Sequence, residues 1–319
     1  MPSPKQLYIK KLNMIAARYG TMEDETIRRA LGLLKGMQAQ IAIDLLRLEG
    51  WERYRLRELR ARIDLLMAQY QAQLGAEVYR AFVQAASYGT AAVVEPLQTL
   101  GIQGVFFSPS PAQVNVMLDF SADLVKGITD EMRNAINTQI RMAALGEKAP
   151  IEAMRGITQA LGVDAKAGIW ARRKPPVKGV AARAETILRT EMQRAYNLST
   201  FGQQQATAKR IEGLLKTWIA TADTRTRESH LRAHQEYRRQ PIPVGESFVL
   251  RDDRGKAELM YPGDPSAPAR FTINCRCTTA TIHPAIGVIG STLDGRIAAE
   301  LGRREKWAAE RRRATLRVA

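Results

Sequence analysis

Two histidines and two cysteines offer the most distinct chemistry in this 319-residue chain. His230 and His234 stand four apart, so on one helix both imidazoles would present on one face. Cys275 and Cys277, the only cysteines, stand two apart, so on one strand both thiols would share a face. Brought together, His230, His234, Cys275 and Cys277 make a tetrahedral Cys₂His₂ zinc site, an arrangement that gives a small domain folding energy from a metal. The C-x-C spacing is tighter than that of zinc fingers, and Asp223 is an alternative to His234 as fourth ligand. The competing reading leaves the thiols as small buried strand residues and the imidazoles hydrogen-bonded. A disulfide between cysteines this close is poorly favoured, which points to a reducing compartment.

Polar residues nearby suggest a second constellation. Arg189, Gln193 and Asn197 fall four apart and would stack along one stripe of a helix. Asp223 suits the start of a helix, and arginines beside it can pair with carboxylates such as Glu191. Arg189, Glu191, Asn197, Asp223, Arg227 and Asn274 then read as a buried structural network. The enzymatic alternative makes Arg189, Glu191, Asp223 and His230 a nuclease- or transferase-like site. Absences weigh against it: the chain has no G-x-x-x-x-G-K-[ST] loop, no strand followed by G-x-G-x-x-G, no G-x-S-x-G elbow and only three histidines.

Helices dominate the elements that must position these groups. Ile27, Leu31, Leu34, Ile41, Leu45 and Leu48 recur at helical spacing after a capping start at Thr21. Leu59, Ile63, Leu66, Met67, Tyr70 and Leu74 repeat the pattern beyond Trp51, so the two form an antiparallel hairpin or one kinked rod. GIQGVFFSPSP breaks the pattern, which resumes from Val114 to Ile140, and a shorter helix follows from Pro150 to Leu161. The basic, proline-containing ARRKPPVKGVAAR reads as a linker. Residues 181–207 form another helix, KTWIATA a strand, TRTRESHLRAHQEY a short helix, and SFVLR and RFTINCRCTTATIH strands, while RDDRGKAELMYPGDPSAPAR reads as loop. A last polar, basic helix from Asp294 is expected to extend away. The fold class is α+β: a helical arm (1–100), a helical segment and linker (101–180), a small α+β domain (181–290) and a basic C-terminal helix (291–319).

Charge narrows the partners. The chain holds 48 Lys+Arg against 32 Asp+Glu, a formal +16, with an apolar fraction of 45% that excludes wholesale disorder. From Arg296 onward there are eight basic and three acidic side chains, so Arg303, Arg304, Arg311, Arg312 and Arg313 are the candidates for non-specific contact with DNA phosphates. No stretch is apolar and long enough for a membrane span, so no membrane partner is expected.

The ordered set ILRTEMQRAYN, KTWIATADTRTRESH, YPGDP and INCRC resembles the C-terminal domain of the phage Mu F-like minor head proteins, the phage head morphogenesis family, over residues 110–282. Arg189, Glu191, Asn197, Trp218, Asp223, Arg227, His230, Pro262 and Asn274 to Cys277 occupy the positions of its motif. The resemblance implies a non-enzymatic minor capsid protein of a tailed phage that helps assemble heads competent for DNA packaging or ejection. Its implied partners are the portal protein, a major capsid or scaffold protein, and genomic DNA. Its implied location is the virion, at the capsid interior or portal vertex, after assembly in the host cytoplasm.

Overall fold

The structure, a computed structural model, describes residues 2–47, 53–102, 111–145, 147–161, 180–283 and 292–318. In chain order they form α1 (Pro4–Leu46), α2 (Arg53–Gln98), α3 (Pro111–Ala144), α4 (Pro150–Leu161), α5 (Val180–Ala208), β1 (Leu215–Ile219), α6 (Glu228–Arg239), β2 (Ile242–Pro243), β3 (Phe248–Asp252), β4 (Gly255–Leu259), α7 (Ala269–Thr272), β5 (Thr278–Ile282) and α8 (Thr292–Val318). The fold is α+β: long helices precede a small, wholly antiparallel strand region. Among the described residues no helix is long and apolar enough to cross a membrane. The GIQGVFFSPSP break and the linker before α5 fall mostly outside the described residues.

The chain forms two compact units. One comprises Gly20–Phe82 and Ser110–Glu191 and is helical. Its core gathers the periodic residues of each helix, among them Ile27, Leu34, Ile63, Met67, Ile128, Met132, Ile136 and Ile157, all buried. Within this unit α1 and α2 run antiparallel. Arg29 pairs with Glu77 and Asp44 with Arg62, so rising numbers on one helix meet falling numbers on the other. The hairpin therefore replaces the kinked-rod alternative.

The second unit comprises Met1–Tyr19, Val83–Pro109 and Met192–Ala319. Its main sheet has the order β2-β1-β5, with Trp218 opposite Thr279 and Leu215 opposite Ile282. The Tyr8 hydroxyl of α1 donates to the Thr281 carbonyl at 2.6 Å, and Val93 and Leu97 of α2 share a cluster with Tyr8 and Ile282. Gly89 lets α2 press against α5, because a Cβ there would lie 2.1 Å from the Tyr196 carbonyl oxygen. The main core packs Trp218, Leu231, Tyr237, Phe248, Leu250, Leu259 and Phe271 around Cys275 and Cys277.

Three sequence expectations change. The stretch read as loop contains β4, which pairs with β3 in a hairpin whose register closes at Asp252 opposite Gly255. Gly255 has φ +126°, and the Asp252 carboxylate accepts the Arg254 N–H at 2.9 Å; both are turn devices that a run of Asp and Gly obscures as simple loop composition. RFTINCRC is not strand: Ala269–Thr272 is one helical turn, and the cysteines lie in the loop before β5. Finally, α8 does not simply extend away, since Ile297 and Leu301 are buried in the Trp218 core.

Candidate metal centre

Helix α6 carries His230 on its buried face, and the loop between α7 and β5 carries the thiols. His230, Cys275 and Cys277 are 1%, 3% and 1% exposed, and their ligand atoms all lie within 4.8 Å of one another. Nδ1 of His230 is 3.3 Å from Sγ of Cys277 and 3.5 Å from Sγ of Cys275. Zinc at about 2.3 Å from sulfur and about 2.0 Å from nitrogen, with tetrahedral angles, separates those ligands by about 3.5 Å. Both nitrogen–sulfur distances match that separation, and the three side chains could hold a metal. The Trp218 ring stands edge-on to His230, 5.4 Å between centroids, and closes one side of the site.

The thiols are electrostatically inequivalent. A hydrogen bond from Cys277 holds the Cys275 thiol well below the ordinary range against the cost of its burial, and His230 adds to the effect. Burial, then the neighbouring Cys275, pushes the Cys277 thiol well above it. One thiolate is thus favoured within a buried pair, which is the ligand state a soft cation requires.

His234 is turned elsewhere. Its Nδ1 accepts the Ala220 backbone N–H at 3.2 Å, which places the ring proton on Nε2, where it faces the Asp294 carboxylate at 2.9 Å. Both nitrogens are occupied, so His234 does not join the other three, although its spacing from His230 allowed it. Asp223 is not a ligand in this arrangement either. It accepts from Arg276 at 2.5 Å and from the backbone N–H groups of Arg225 and Thr226 at 3.0 Å. Burial raises its carboxyl, but Arg276 and these donors outweigh that and hold it below the usual range. Among the described residues the candidate group has three members.

A shell of hydrogen bonds fixes the loop that presents the thiols. Asn274 adopts φ +54°, a left-handed conformation in which Asn is among the better tolerated residues. Arg227 donates to the Ile273 carbonyl at 2.6 Å, and Thr221 to the Arg276 carbonyl at 2.9 Å. The Cys277 carbonyl accepts two side-chain amides from successive turns of α5, Gln193 at 3.0 Å and Asn197 at 2.9 Å. Asn197 also donates to the Pro262 carbonyl at 2.8 Å, tying in the YPGDP turn.

The six-residue network of the sequence reading thus divides. Asn197, Asp223, Arg227 and Asn274 surround the thiol loop, joined by Gln193 of the same helical stripe, by Arg276 of the motif and by Thr221, which the sequence did not single out. Arg189 pairs instead with Glu23 at 3.2 Å and Glu185 at 3.0 Å within the helical unit, where Glu191 is also buried. The proposed DNA contacts divide as well. Arg303 and Arg304 both pair with Glu300, and Arg304 donates to the Thr224 carbonyl at 3.0 Å. Arg311, Arg312 and Arg313 continue α8, but their side chains lie outside those described.

Comparison with known proteins finds similarity over the region that holds this site. Over 105 residues the chain is 33% identical to the NAD(+)--arginine ADP-ribosyltransferase EFV of Enterococcus faecalis (strain ATCC 700802 / V583), covering 33% of this chain and 20% of that protein. The chain therefore spans only a fifth of that relative's length. No solved structure matches. The family described as Phage Mu protein F like protein matches residues 150–280, which include His230, Cys275 and Cys277 and the side chains that hold the loop; the match begins later than the resemblance at residue 110 had implied. Residues 150–280 of this chain, about two fifths of its length, are thus similar to the phage Mu protein F like family.

Proposed function

We propose that the protein is a minor head protein of a tailed phage, acting in head morphogenesis at the portal vertex through protein contacts and non-specific contact with DNA. The observation that carries this reading is the family domain, whose motif residues point inward. His230, Cys275, Cys277 and Asn197 are buried, and Asp223 and Arg227 bind neighbouring groups of the same unit. Such a set holds a module together; of the alternative catalytic group Arg189, Glu191, Asp223 and His230, His230 is buried beside the thiols, Asp223 pairs with Arg276, Arg189 pairs with Glu23 and Glu185, and Glu191 is buried. The similarity to an ADP-ribosyltransferase covers a fifth of that protein and gives no ground for transferring its activity.

Within this reading the Cys/Cys/His group holds zinc as a structural ion, the metal suited to thiolate and imidazole in a tetrahedral arrangement. His230, Cys275 and Cys277 would be its protein ligands, and the ion would supply cohesion between α6 and the thiol loop. Elemental analysis of protein purified without chelators is expected to give one zinc per chain. For the assembly role, the protein should copurify with portal complexes and be found in virions by mass spectrometry. Virions that lack it, together with heads that assemble normally in its absence, would sink the proposal.

A further inference from the structure

We propose that Gln193 and Asn197 of α5 and Arg227 at the start of α6 are positioning residues of the metal site, setting its affinity by clamping the backbone that carries the thiols. The inference rests on the zinc reading above and extends it from the ligands to the helix behind them.

The loop from Ile273 to Cys277 belongs to no regular element, so nothing in a ladder of backbone hydrogen bonds fixes where its two thiols point. The Cys275 N–H reaches the Thr272 carbonyl at 3.2 Å, and side chains fix the loop at both ends. Arg227 takes the Ile273 carbonyl, while Gln193 and Asn197 together take the Cys277 carbonyl, one amide from each of two successive turns of α5. Between these anchors Asn274 is held at φ +54°, and both sulfurs come within 3.5 Å of one imidazole nitrogen. Gln193 and Asn197 are themselves buried, 5% and 0% exposed, so neither amide is shared with solvent, and Asn197 divides its donors between the Cys277 and Pro262 carbonyls. Removing either donor leaves the Cys277 carbonyl short of a partner and frees the peptide that sets the Cys277 Cα–Cβ direction. Outer groups of this kind, which orient ligands without touching the ion, typically change metal affinity by about 10- to 100-fold when replaced. The dependence is reciprocal: an ion that fixes the thiols also fixes the carbonyl to which α5 is bound.

The test measures zinc affinity of the full chain by competition with a chromophoric chelator under reducing conditions. The variants are Gln193→Met, which keeps volume and removes the donor, Asn197→Leu, and Arg227→Gln on the less buried side of the loop. Gln203→Met serves as control, because Gln203 is buried on the same helix but bonds to Thr207. Each of the three variants is expected to bind zinc about 10- to 100-fold more weakly, with shifted d–d bands after cobalt substitution, while the control binds like the wild type. Should the buried substitutions prevent folding, Arg227→Gln alone decides the question. Wild-type protein with reduced thiols that binds no zinc would overturn the zinc reading and this inference together. Wild-type protein that binds zinc, with variants that match it in affinity and cobalt spectrum, would leave the zinc site standing and overturn the positioning role.

Discussion

Lys216 shows how far this fold will go to keep a side chain in place. It lies on β1, fully buried, with Nζ donating to the Met260 carbonyl at 2.7 Å and 4.8 Å from the centroids of both Phe201 and Phe248. Burial pushes its pKa down to about 7, opposed by Asp264 and Glu246. The sign for stability follows from proton counting. Between pH 7 and the ordinary value of 10.5 the unfolded chain holds a proton that the folded chain has lost, so stability rises with pH across that window. Below pH 7 both states are protonated and the cost of burying the cation is fully present. Thermal or urea unfolding of the wild type against Lys216→Met should therefore move in favour of the wild type as pH rises from 7 to 10, by at most about 1.4 kcal/mol per pH unit. A difference that stays flat over this range would mean that Lys216 remains charged inside the core. At the same scale, the candidate metal site turns on three atoms whose chemistry is plain from residue type. His234 is the exception, because an acceptor role toward Ala220 and a donor role toward Asp294 cannot be read from an imidazole and its spacing.

Among the elements, α8 is where structure most changes the picture. Its first turns are built into the domain. Asp294 receives His234 at 2.9 Å and Arg238 at 3.3 Å, Ile297 and Leu301 enter the core, and Glu305 meets Arg232 at 3.4 Å. Burial lowers the pKa of His234 below 6.5, with Asp294 pulling the other way and Arg238 adding to the depression. A depressed histidine is neutral in both states above pH 6.5 and carries no penalty there. As pH falls below that value the unfolded chain takes up a proton that the folded chain resists, and stability is lost. The midpoint of thermal unfolding should accordingly drop between pH 7 and pH 5, and less steeply in His234→Asn, whose carbonyl can still accept the Ala220 N–H. Equal slopes for the two proteins would show that another group governs the acid limb. The β3–β4 hairpin teaches the complementary lesson. Phe248, Leu250, Ala257 and Leu259 alternate inward along its strands, yet Asp252, Asp253 and Gly255 between them make the second strand look like loop.

At the scale of the molecule, the +16 charge is distributed more selectively than its total suggests. Many arginines pair with carboxylates of the chain: Arg189 with Glu23 and Glu185, Arg238 with Asp294, Arg276 with Asp223, and Arg304 and the largely exposed Arg303 with Glu300. The basic run at Arg311, Arg312 and Arg313 is therefore the better candidate for phosphate. Because Ile297 and Leu301 belong to the core, deleting the whole of α8 would damage the domain, and charge substitution is the cleaner test. Replacing Arg311, Arg312 and Arg313 with Gln should reduce the slope of log affinity for duplex DNA against log salt by up to about 3, with folding unchanged. The pair Arg303→Gln and Arg304→Gln should alter it much less. An unchanged slope in the triple variant would overturn the tail as a proposed contact with DNA.

The sequence by itself determined the presence of the long helices, because apolar residues repeating at helical spacing need only local geometry to declare their buried face, but not their ends: α1 begins at Pro4 and runs through the expected capping start at Thr21. It also determined the ligand types of the candidate metal site and the residues that resemble the family motif, which are matters of residue identity and order. Only the tertiary structure decided which ligands meet. His230 and His234 share a helical face, but Asp294, sixty residues further on, claims one and leaves the other to the thiols. Likewise Gln193 and Asn197 became part of the site through a carbonyl eighty residues away. Backbone acceptors are identical at every position in a sequence. Which of them a side chain reaches is settled by packing alone.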